Sequence, residues 1–228
     1  MQENNNHLSE VYDEFRTQLM GRNKLLDTLL PALVFMLVNR LADLQPAIYA
    51  ALFVAAVITV VRLTRRETFW FALGGFGGVL IAVLFAWWLA RAEGYFLPNI
   101  ISNAAIVGIA LISLILRKPL VALASALTRQ WPLGWFSHPR VLPAYVEVTL
   151  AWTFFLSLRL IIQVFFFQNQ SVNALGTFQL ITGTPATILL LVLSYLYGAW
   201  RLKRLQGPSV VEYTRGDPPP WEGQKRGF

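Results

Sequence analysis

Six apolar stretches dominate the chain, and each has about the length that crosses a lipid bilayer. A transmembrane helix needs roughly 17–25 predominantly apolar residues, because the hydrocarbon core is about 30 Å thick and a helix rises about 1.5 Å per residue. A soluble core made from 228 residues could not hide six such stretches. The sequence therefore predicts an all-α integral membrane bundle of six transmembrane helices, at residues 25–44, 46–63, 69–90, 97–116, 148–167 and 178–200.

The basic residues between these stretches alternate in density along the chain. Sixteen of the nineteen Lys and Arg residues lie in segments that the six spans place on one side of the membrane. Arg40 and Arg91 lie on the other side, and Arg159 lies within a span. Because Lys and Arg accumulate in cytoplasmic loops, the pattern predicts three successive hairpins with both termini in the cytoplasm.

Three regions follow from this pattern. Residues 1–24 form a polar N-terminal arm, in which apolar residues at helical spacing predict a short amphipathic helix on the cytoplasmic side. Residues 25–204 form the six-span membrane domain. A second amphipathic stretch inside it, residues 119–130, is predicted to be a cytoplasmic interfacial helix. Residues 205–228 are rich in Gly and Pro, and they are predicted to be a disordered cytoplasmic tail.

The composition excludes several classes of function. The chain has no cysteine, two histidines far apart, and none of the motifs of metalloproteases, serine hydrolases or P-loop nucleotide-binding proteins. We therefore expect no catalytic residues, no metal and no cofactor, in a protein that is not an enzyme. The net charge of +7 arises at the predicted cytoplasmic ends of spans. This placement indicates contact with anionic lipid headgroups rather than with nucleic acid.

Arg159 is the most informative single residue, because it lies deep in an apolar predicted helix. A charged side chain there costs at least ~2.5–3.5 kcal/mol on the insertion scale, so it is expected to face the bundle and to have a partner. Three interpretations remain open: a structural arginine that pairs with an acid, Asp43 or Glu93, or with helix carbonyls and so locks helices together; an arginine that binds an anionic ligand; and one that snorkels to the outer interface. The predicted outer half of the bundle holds a candidate polar cluster: Arg159, Gln163, Asn103, Asn99, Arg40, Asp43, Arg91 and Glu93.

Small residues at every fourth position predict close helix packing. Gly74 and Gly78 form such a face on the third predicted span, and Ala47, Ala51 and Ala55 form one on the second. Faces of this kind let helix backbones approach closely. We expect packing within the chain at both faces, with homodimerisation as the alternative.

Two further features lie in the last two predicted spans. Glu147, near the cytoplasmic end of the fifth span, is expected to reach interfacial water or neighbouring bases. The run Thr182, Gly183, Thr184 and Pro185 interrupts the start of the sixth span. Interrupted helices form substrate sites in some transporters and plain packing kinks elsewhere.

The chain resembles a family of uncharacterised multi-span bacterial membrane proteins of the actinobacterial type. Four segments carry the resemblance: LLPALVFMLVNRLADLQPAIYAAL, VVRLTRRE, ARAEGYFLPNIISNA and LISLILRKPL. More distantly, the chain is similar to the intracellular septation protein A family of small inner-membrane proteins. These resemblances imply a bacterial inner-membrane protein and, for septation, partners in the cell envelope. They supply no catalytic set.

Two functions remain open from the sequence. The favoured one is a structural or accessory role in the cell envelope or in a larger membrane complex. Its partners would be the anionic bilayer and other membrane proteins or a second copy of the chain. The alternative is a small transporter or channel for an anionic or amphipathic solute. In that case the candidate polar cluster around Arg159 would bind the solute.

Overall fold

The computed structural model describes residues 22–65, 67–224 and 227–228, and these residues contain helices and no strand. The predicted all-α class is therefore confirmed for this part of the chain. The amphipathic helix predicted in the N-terminal arm lies outside the described residues. In chain order the elements are α1 (Arg22–Leu41), α2 (Leu44–Thr64), α3 (Phe69–Leu89), a 3-10 turn (Ala92–Phe96), α4 (Leu97–Ile115), α5 (Leu120–Arg129), α6 (Leu133–Phe136), α7 (Leu142–Gln168), α8 (Val172–Thr182), α9 (Thr184–Leu205) and α10 (Val210–Arg215).

Five segments of the described chain are long and apolar enough to cross a membrane. They are α2, α3, the 3-10 turn continued by α4, α7, and α8 continued by α9. The first predicted span is not among them, because the described apolar part of α1, Leu29–Leu41, is shorter. Asn39 and Arg40 end the apolar run of that helix. The chain is thus a membrane-embedded helical protein with five such helices where the sequence predicted six.

Helix α3 shows how the outer surface suits a bilayer. Trp70 near its start is 79% exposed, and Trp87 and Trp88 near its end are 68% and 74% exposed. The rise between Trp70 and Trp87 is about 26 Å, close to the thickness of a hydrocarbon core. Tryptophan favours both membrane interfaces, so exposed rings at the two ends of one apolar helix are the arrangement that a span requires.

The chain forms two compact units, Met1–Pro98 and Asn99–Phe228. In the first unit, Phe35 of α1 is fully buried and stacks on Tyr95 of the 3-10 turn, with ring centroids 4.2 Å apart. Gly94 lets this turn lie directly on α3. A Cβ at Gly94 would come within 2.7 Å of the backbone oxygen of Phe85. The core of this unit therefore depends on one glycine in the turn and on aromatic stacking against α1.

The two small-residue faces of the first unit differ in the structure. Ala47, Ala51 and Ala55 of α2 are buried, as predicted for packing within the chain. Gly74 and Gly78 are exposed, and a Cβ on either would meet no described atom within 4 Å. The structure therefore does not place these two glycines at a helix contact. Helix α3 buries another of its faces: Ala72, Ala82, Val83 and Ala86.

The second unit has its core where α5 and α6 pack on α7 and α9. Trp135, Tyr145 and Val148 are almost completely buried there. The predicted helix at residues 119–130 corresponds to α5. Its first backbone N–H groups are bonded by side chains of other helices: Leu120 N–H donates to Ser113 Oγ at 3.0 Å and Val121 N–H to Thr149 Oγ1 at 3.3 Å. These bonds replace a local N-terminal cap and attach α5 to α4 and α7.

The last two spans begin earlier than predicted. Helix α7 starts at Leu142, with Pro143 in its first turn, where a missing N–H costs nothing. Helix α8 starts at Val172, so the predicted loop before residue 178 is mostly helical. The predicted interruption is confirmed. Gly183 has φ −74° and ψ −124°, which is not helical, and it separates α8 from α9.

The described tail differs from the disorder predicted for residues 205–228. Ser209 and Glu212 form a capping box at the start of α10, in which Glu212 N–H donates to Ser209 Oγ at 3.2 Å and Ser209 N–H donates to Glu212 Oε2 at 2.7 Å. Phe228 is buried in the core of the second unit. A local cap and one buried ring therefore order a segment whose Gly- and Pro-rich composition is typical of disorder.

Candidate functional site

Four polar side chains of the predicted cluster meet between α4 and α7. Asn103 and Gln163 are 5% and 0% exposed. The Asn103 Nδ2 group donates to Gln163 Oε1 at 3.0 Å and to the carbonyl of Leu156 at 3.3 Å. Gln163 Nε2 donates to Asn99 Oδ1 at 3.1 Å. Asn99, Asn103, Gln163 and Arg159 form what we call the α4–α7 network.

Helical spacing explains why these side chains share one place. Asn99 and Asn103 are one turn apart on α4, and Arg159 and Gln163 are one turn apart on α7. Residues four apart lie on the same helix face. A carboxamide offers both donors and an acceptor, so the three amides of Asn99, Asn103 and Gln163 can bond to one another without water. In hydrocarbon this matters, because an unsatisfied polar group costs several kcal/mol.

Arg159 is the incompletely bonded member of the network. Its Nη2 donates to Asn99 Oδ1 at a long 3.4 Å, and its buried Nε has no hydrogen-bond partner among the described residues. Within the second unit, Glu147 pairs with Arg201 instead. The other described acids of this unit follow α9 in the chain: Glu212, Asp217 and Glu222. Arg159 thus has donor capacity that its own unit leaves unused.

The other four residues of the predicted cluster belong to the first unit. Arg40 is exposed in the last turn of α1, and Asp43 is exposed at the N-cap of α2. Arg91 is exposed immediately before the 3-10 turn, whereas Glu93 within that turn is 6% exposed. These four residues therefore lie at two junctions between consecutive elements of the first unit. Arg40 and Asp43 lie where the chain passes from α1 to α2, and Arg91 and Glu93 lie where it passes from α3 into the 3-10 turn.

A second polar group joins α7 to α9 elsewhere in the same unit. Glu147 accepts hydrogen bonds from Arg201, from Nη2 at 2.7 Å and from Nε at 2.8 and 3.1 Å, and one from the Tyr197 hydroxyl at 2.6 Å. The expectation that Glu147 reaches a neighbouring base is confirmed. The sequence did not identify Tyr197 as its partner, although Tyr197 and Arg201 are four residues apart and so share a face of α9.

The chemistry available to these groups is hydrogen bonding and ion pairing. Among the described residues no group of three or more His, Asp or Glu side chains could hold a metal ion. The amides of the α4–α7 network bond one helix to the other. The Arg159 guanidinium presents planar donors of the kind that bind carboxylate or phosphate oxygens.

Comparison with known proteins gave one family match. The model of a family described as "Protein of unknown function (DUF3159)" matches residues 19–204. This range contains the whole α4–α7 network and the Glu147–Arg201 pair. The match confirms the predicted resemblance to a family of uncharacterised proteins. Proteins of curated function and solved structures gave no match.

Proposed function

The chain belongs to the DUF3159 family, and we propose that it is a multi-pass bacterial inner-membrane protein with a structural or accessory role in the cell envelope or in a larger membrane complex. In this proposal α1 is a sixth span, the spans form three hairpins, and both termini are cytoplasmic. The protein is not an enzyme. Its partners are anionic lipid headgroups and other membrane proteins.

The observation that supports a structural role is the way interior polar groups of the second unit bond to each other. Asn103 and Gln163 are buried and bonded across α4 and α7. Trp152 Nε1 donates to Ser194 Oγ at 2.9 Å across α7 and α9. A solute path needs polar groups that face open space or water. Side chains that use their donors and acceptors on neighbouring helices instead fix the positions of those helices.

Reporter fusions test the proposed topology. Fusions after residues 65, 135 and 228 should report a cytoplasmic position, and a fusion after residue 172 should report an external one. The reason is that sixteen of the nineteen Lys and Arg residues lie in the segments that the six spans place on one side, and basic residues accumulate on the cytoplasmic side. A matched pair of fusions before and after α1 tests whether this helix crosses. An external position at residue 135 would contradict the six-span arrangement, and equal positions before and after α1 would reduce it to five.

Purification from native membranes in a mild detergent tests the accessory role. The proposal expects another membrane protein to copurify at a constant ratio in two detergents of different chemistry. A second multi-span protein with the same tag, expressed at the same level, controls for adventitious association. If the chain purifies alone, and its particle mass corresponds to the chain plus detergent, the accessory role is wrong.

A second candidate function is binding or transport of an anionic or amphipathic solute, favoured by the buried, unbonded Nε of Arg159. An anion held there would stabilise the purified protein against thermal unfolding. Arg159→Lys should lose most of this stabilisation, because lysine cannot make the planar two-pronged contact. Ser102→Leu, an exposed change on α4, is the control. Equal stabilisation of the parent and of Arg159→Lys would exclude this site.

A further inference from the structure

The ring of Phe228 occupies an aromatic pocket in the second unit. It is 6% exposed and stacks on Tyr145, with centroids 4.3 Å apart and an interplanar angle of 13°. Trp135 and Phe136 pack edge-on against Tyr145 at 6.1 and 5.0 Å. Ala122, Ala126 and Leu202 belong to the same buried cluster. We call this the Phe228 pocket.

Two glycines give this pocket its shape. A Cβ on Gly198 of α9 would collide with the Phe228 ring, so the ring lies where a side chain at 198 would be. A Cβ on Gly227 would collide with the Tyr195 hydroxyl, and Gly227 has φ +87°, which favours glycine. The pocket therefore fits a flat aromatic side chain that follows a glycine.

Glu212 orders the part of the tail that precedes Phe228. The carboxylate of Glu212 accepts from Glu222 N–H at 2.7 Å and from Gly223 N–H at 3.4 Å, in addition to capping α10. Trp135 Nε1 donates to the carbonyl of Pro208 at 2.8 Å. These polar contacts order the tail at Pro208 and at Glu222 and Gly223. The contacts of Glu212 with Glu222 and Gly223 lie outside the Phe228 pocket.

We propose that the Phe228 pocket is a docking site for a Gly-Phe segment of a protein chain, and that the tail of this chain occupies it in cis. The tail is thus a competitor that a segment of the same chemistry on another protein must displace. This inference does not rest on the proposed function above, since it concerns different residues and holds for an accessory protein or a transporter.

Tethering sets how strong the competition is. A segment joined by a short linker acts at an effective concentration of about 1 mM, so a free peptide with a Kd of about 30 µM for the empty pocket would bind the intact chain ~30-fold more weakly. Removing the ring of Phe228, or loosening the tail at Glu212, should therefore raise the affinity for an added peptide.

The test uses the full chain in detergent and a fluorescent peptide of residues 222–228, EGQKRGF, with an amidated end. Fluorescence anisotropy should show that the Phe228→Ala chain binds this peptide at least ~10-fold more tightly than the parent chain, as expected for loss of a tethered competitor. A peptide with Phe replaced by Ala should not bind. Adding Gly198→Leu to the Phe228→Ala chain should abolish binding, whereas adding Gly108→Leu, whose Cβ would meet no described atom within 4 Å, should not.

Three results would overturn the proposal. They are failure of a folded Phe228→Ala chain to bind the peptide, equal binding of the Phe and Ala peptides, and equal binding by the parent chain. If Phe228→Ala does not fold, the Glu212→Gln chain decides the question, because its pocket and its Phe228 are unchanged. That chain should bind the peptide more tightly than the parent, and no gain would refute in-cis competition.

Discussion

The bond between Asn103 and Gln163 allows a quantitative test of how the second unit is held together. Asn103→Leu removes the donor that Gln163 Oε1 receives at 3.0 Å, and it leaves that oxygen on a residue with 0% exposure. An unsatisfied buried acceptor costs about 1–3 kcal/mol. Gln163→Met leaves Asn103, which is 5% exposed, with only its 3.3 Å bond to the Leu156 carbonyl, and it also removes the donor to Asn99 Oδ1. Each single change should therefore lower the free energy of unfolding by about 1–3 kcal/mol.

The double variant should be less destabilised than the sum of the two single variants. The double variant leaves neither partner of this bond unsatisfied. The sum of the two single effects minus the effect of the double variant therefore measures the bond itself. Interhelical hydrogen bonds in membrane proteins average ~0.6 kcal/mol and reach ~1.7 kcal/mol, which is the range expected for the coupling energy. The assay is reversible unfolding of the purified chain by SDS titration in mixed micelles, followed by helical circular dichroism.

Ser102→Leu is the matched control, because Ser102 adjoins Asn103 on α4 but is exposed. Its effect should stay within about 0.5 kcal/mol, as for most surface changes. If the two single effects add within about 0.3 kcal/mol, the side chains are not coupled. Single effects no larger than that of Ser102→Leu would show that the bond does not hold α4 to α7.

Two further predictions concern the tail and the glycines of the first unit. Hydrogen bonds from the Ser209 side chain and backbone hold the pKa of Glu212 at about 2, below its ordinary value of 4.5. The order of the tail should therefore be complete above pH 4.5 and decrease as the pH falls from there towards 2. The measurement is the protection of the Gly223 amide, taken as its hydrogen-exchange rate relative to the intrinsic rate at the same pH, and this protection should fall with pH. Glu212→Gln should remove the pH dependence of the protection, and its persistence would contradict the assignment. Gly94→Ala should destabilise by about 1–3 kcal/mol, because its Cβ meets only backbone atoms. Gly78→Ala should be neutral or stabilising by up to about 1 kcal/mol from helix propensity. A lower melting temperature for Gly78→Ala than for Gly94→Ala would contradict both predictions.

The membrane helices were predictable from the sequence because a bilayer leaves the backbone few choices. Backbone groups in hydrocarbon must bond within the segment, so a long apolar stretch predicts a helix directly. Helix ends were less predictable. Helix α7 extends back to Leu142 because Tyr145 and Val148 pack in a protein core rather than face lipid. Apolarity alone does not distinguish these two surroundings.

The α4–α7 network was predictable one helix at a time. The spacing of Asn99 and Asn103, and of Arg159 and Gln163, places each pair on one face. It does not state which helices pack together, so the sequence could not say that Gln163 bonds both asparagines. Acids suggested as partners for Arg159 were chosen by predicted depth in the membrane, which carries no information on helix neighbours.

Glycines show the same limit of local patterns. Gly74 and Gly78 match the spacing of close-packed helices, yet they are exposed, whereas Gly94, outside any such motif, lies against the backbone of α3. A spacing motif describes one surface and not what covers it. In the tail, by contrast, the Ser209–Glu212 capping box is readable from the sequence, and Gly- and Pro-rich composition obscured it.

Cysteine accessibility tests most directly whether the α4–α7 network locks helices or lines a solute path. The chain contains no cysteine, so single substitutions have no background. Open membrane vesicles carrying Asn103→Cys, Gln163→Cys or Asn169→Cys are exposed to a membrane-impermeant maleimide. A structural role predicts rapid labelling at 169, which is exposed just beyond α7, and no labelling at 103 or 163. Labelling of 103 and 163 at the rate seen for 169 would show a water-filled path through the network and would contradict the structural role.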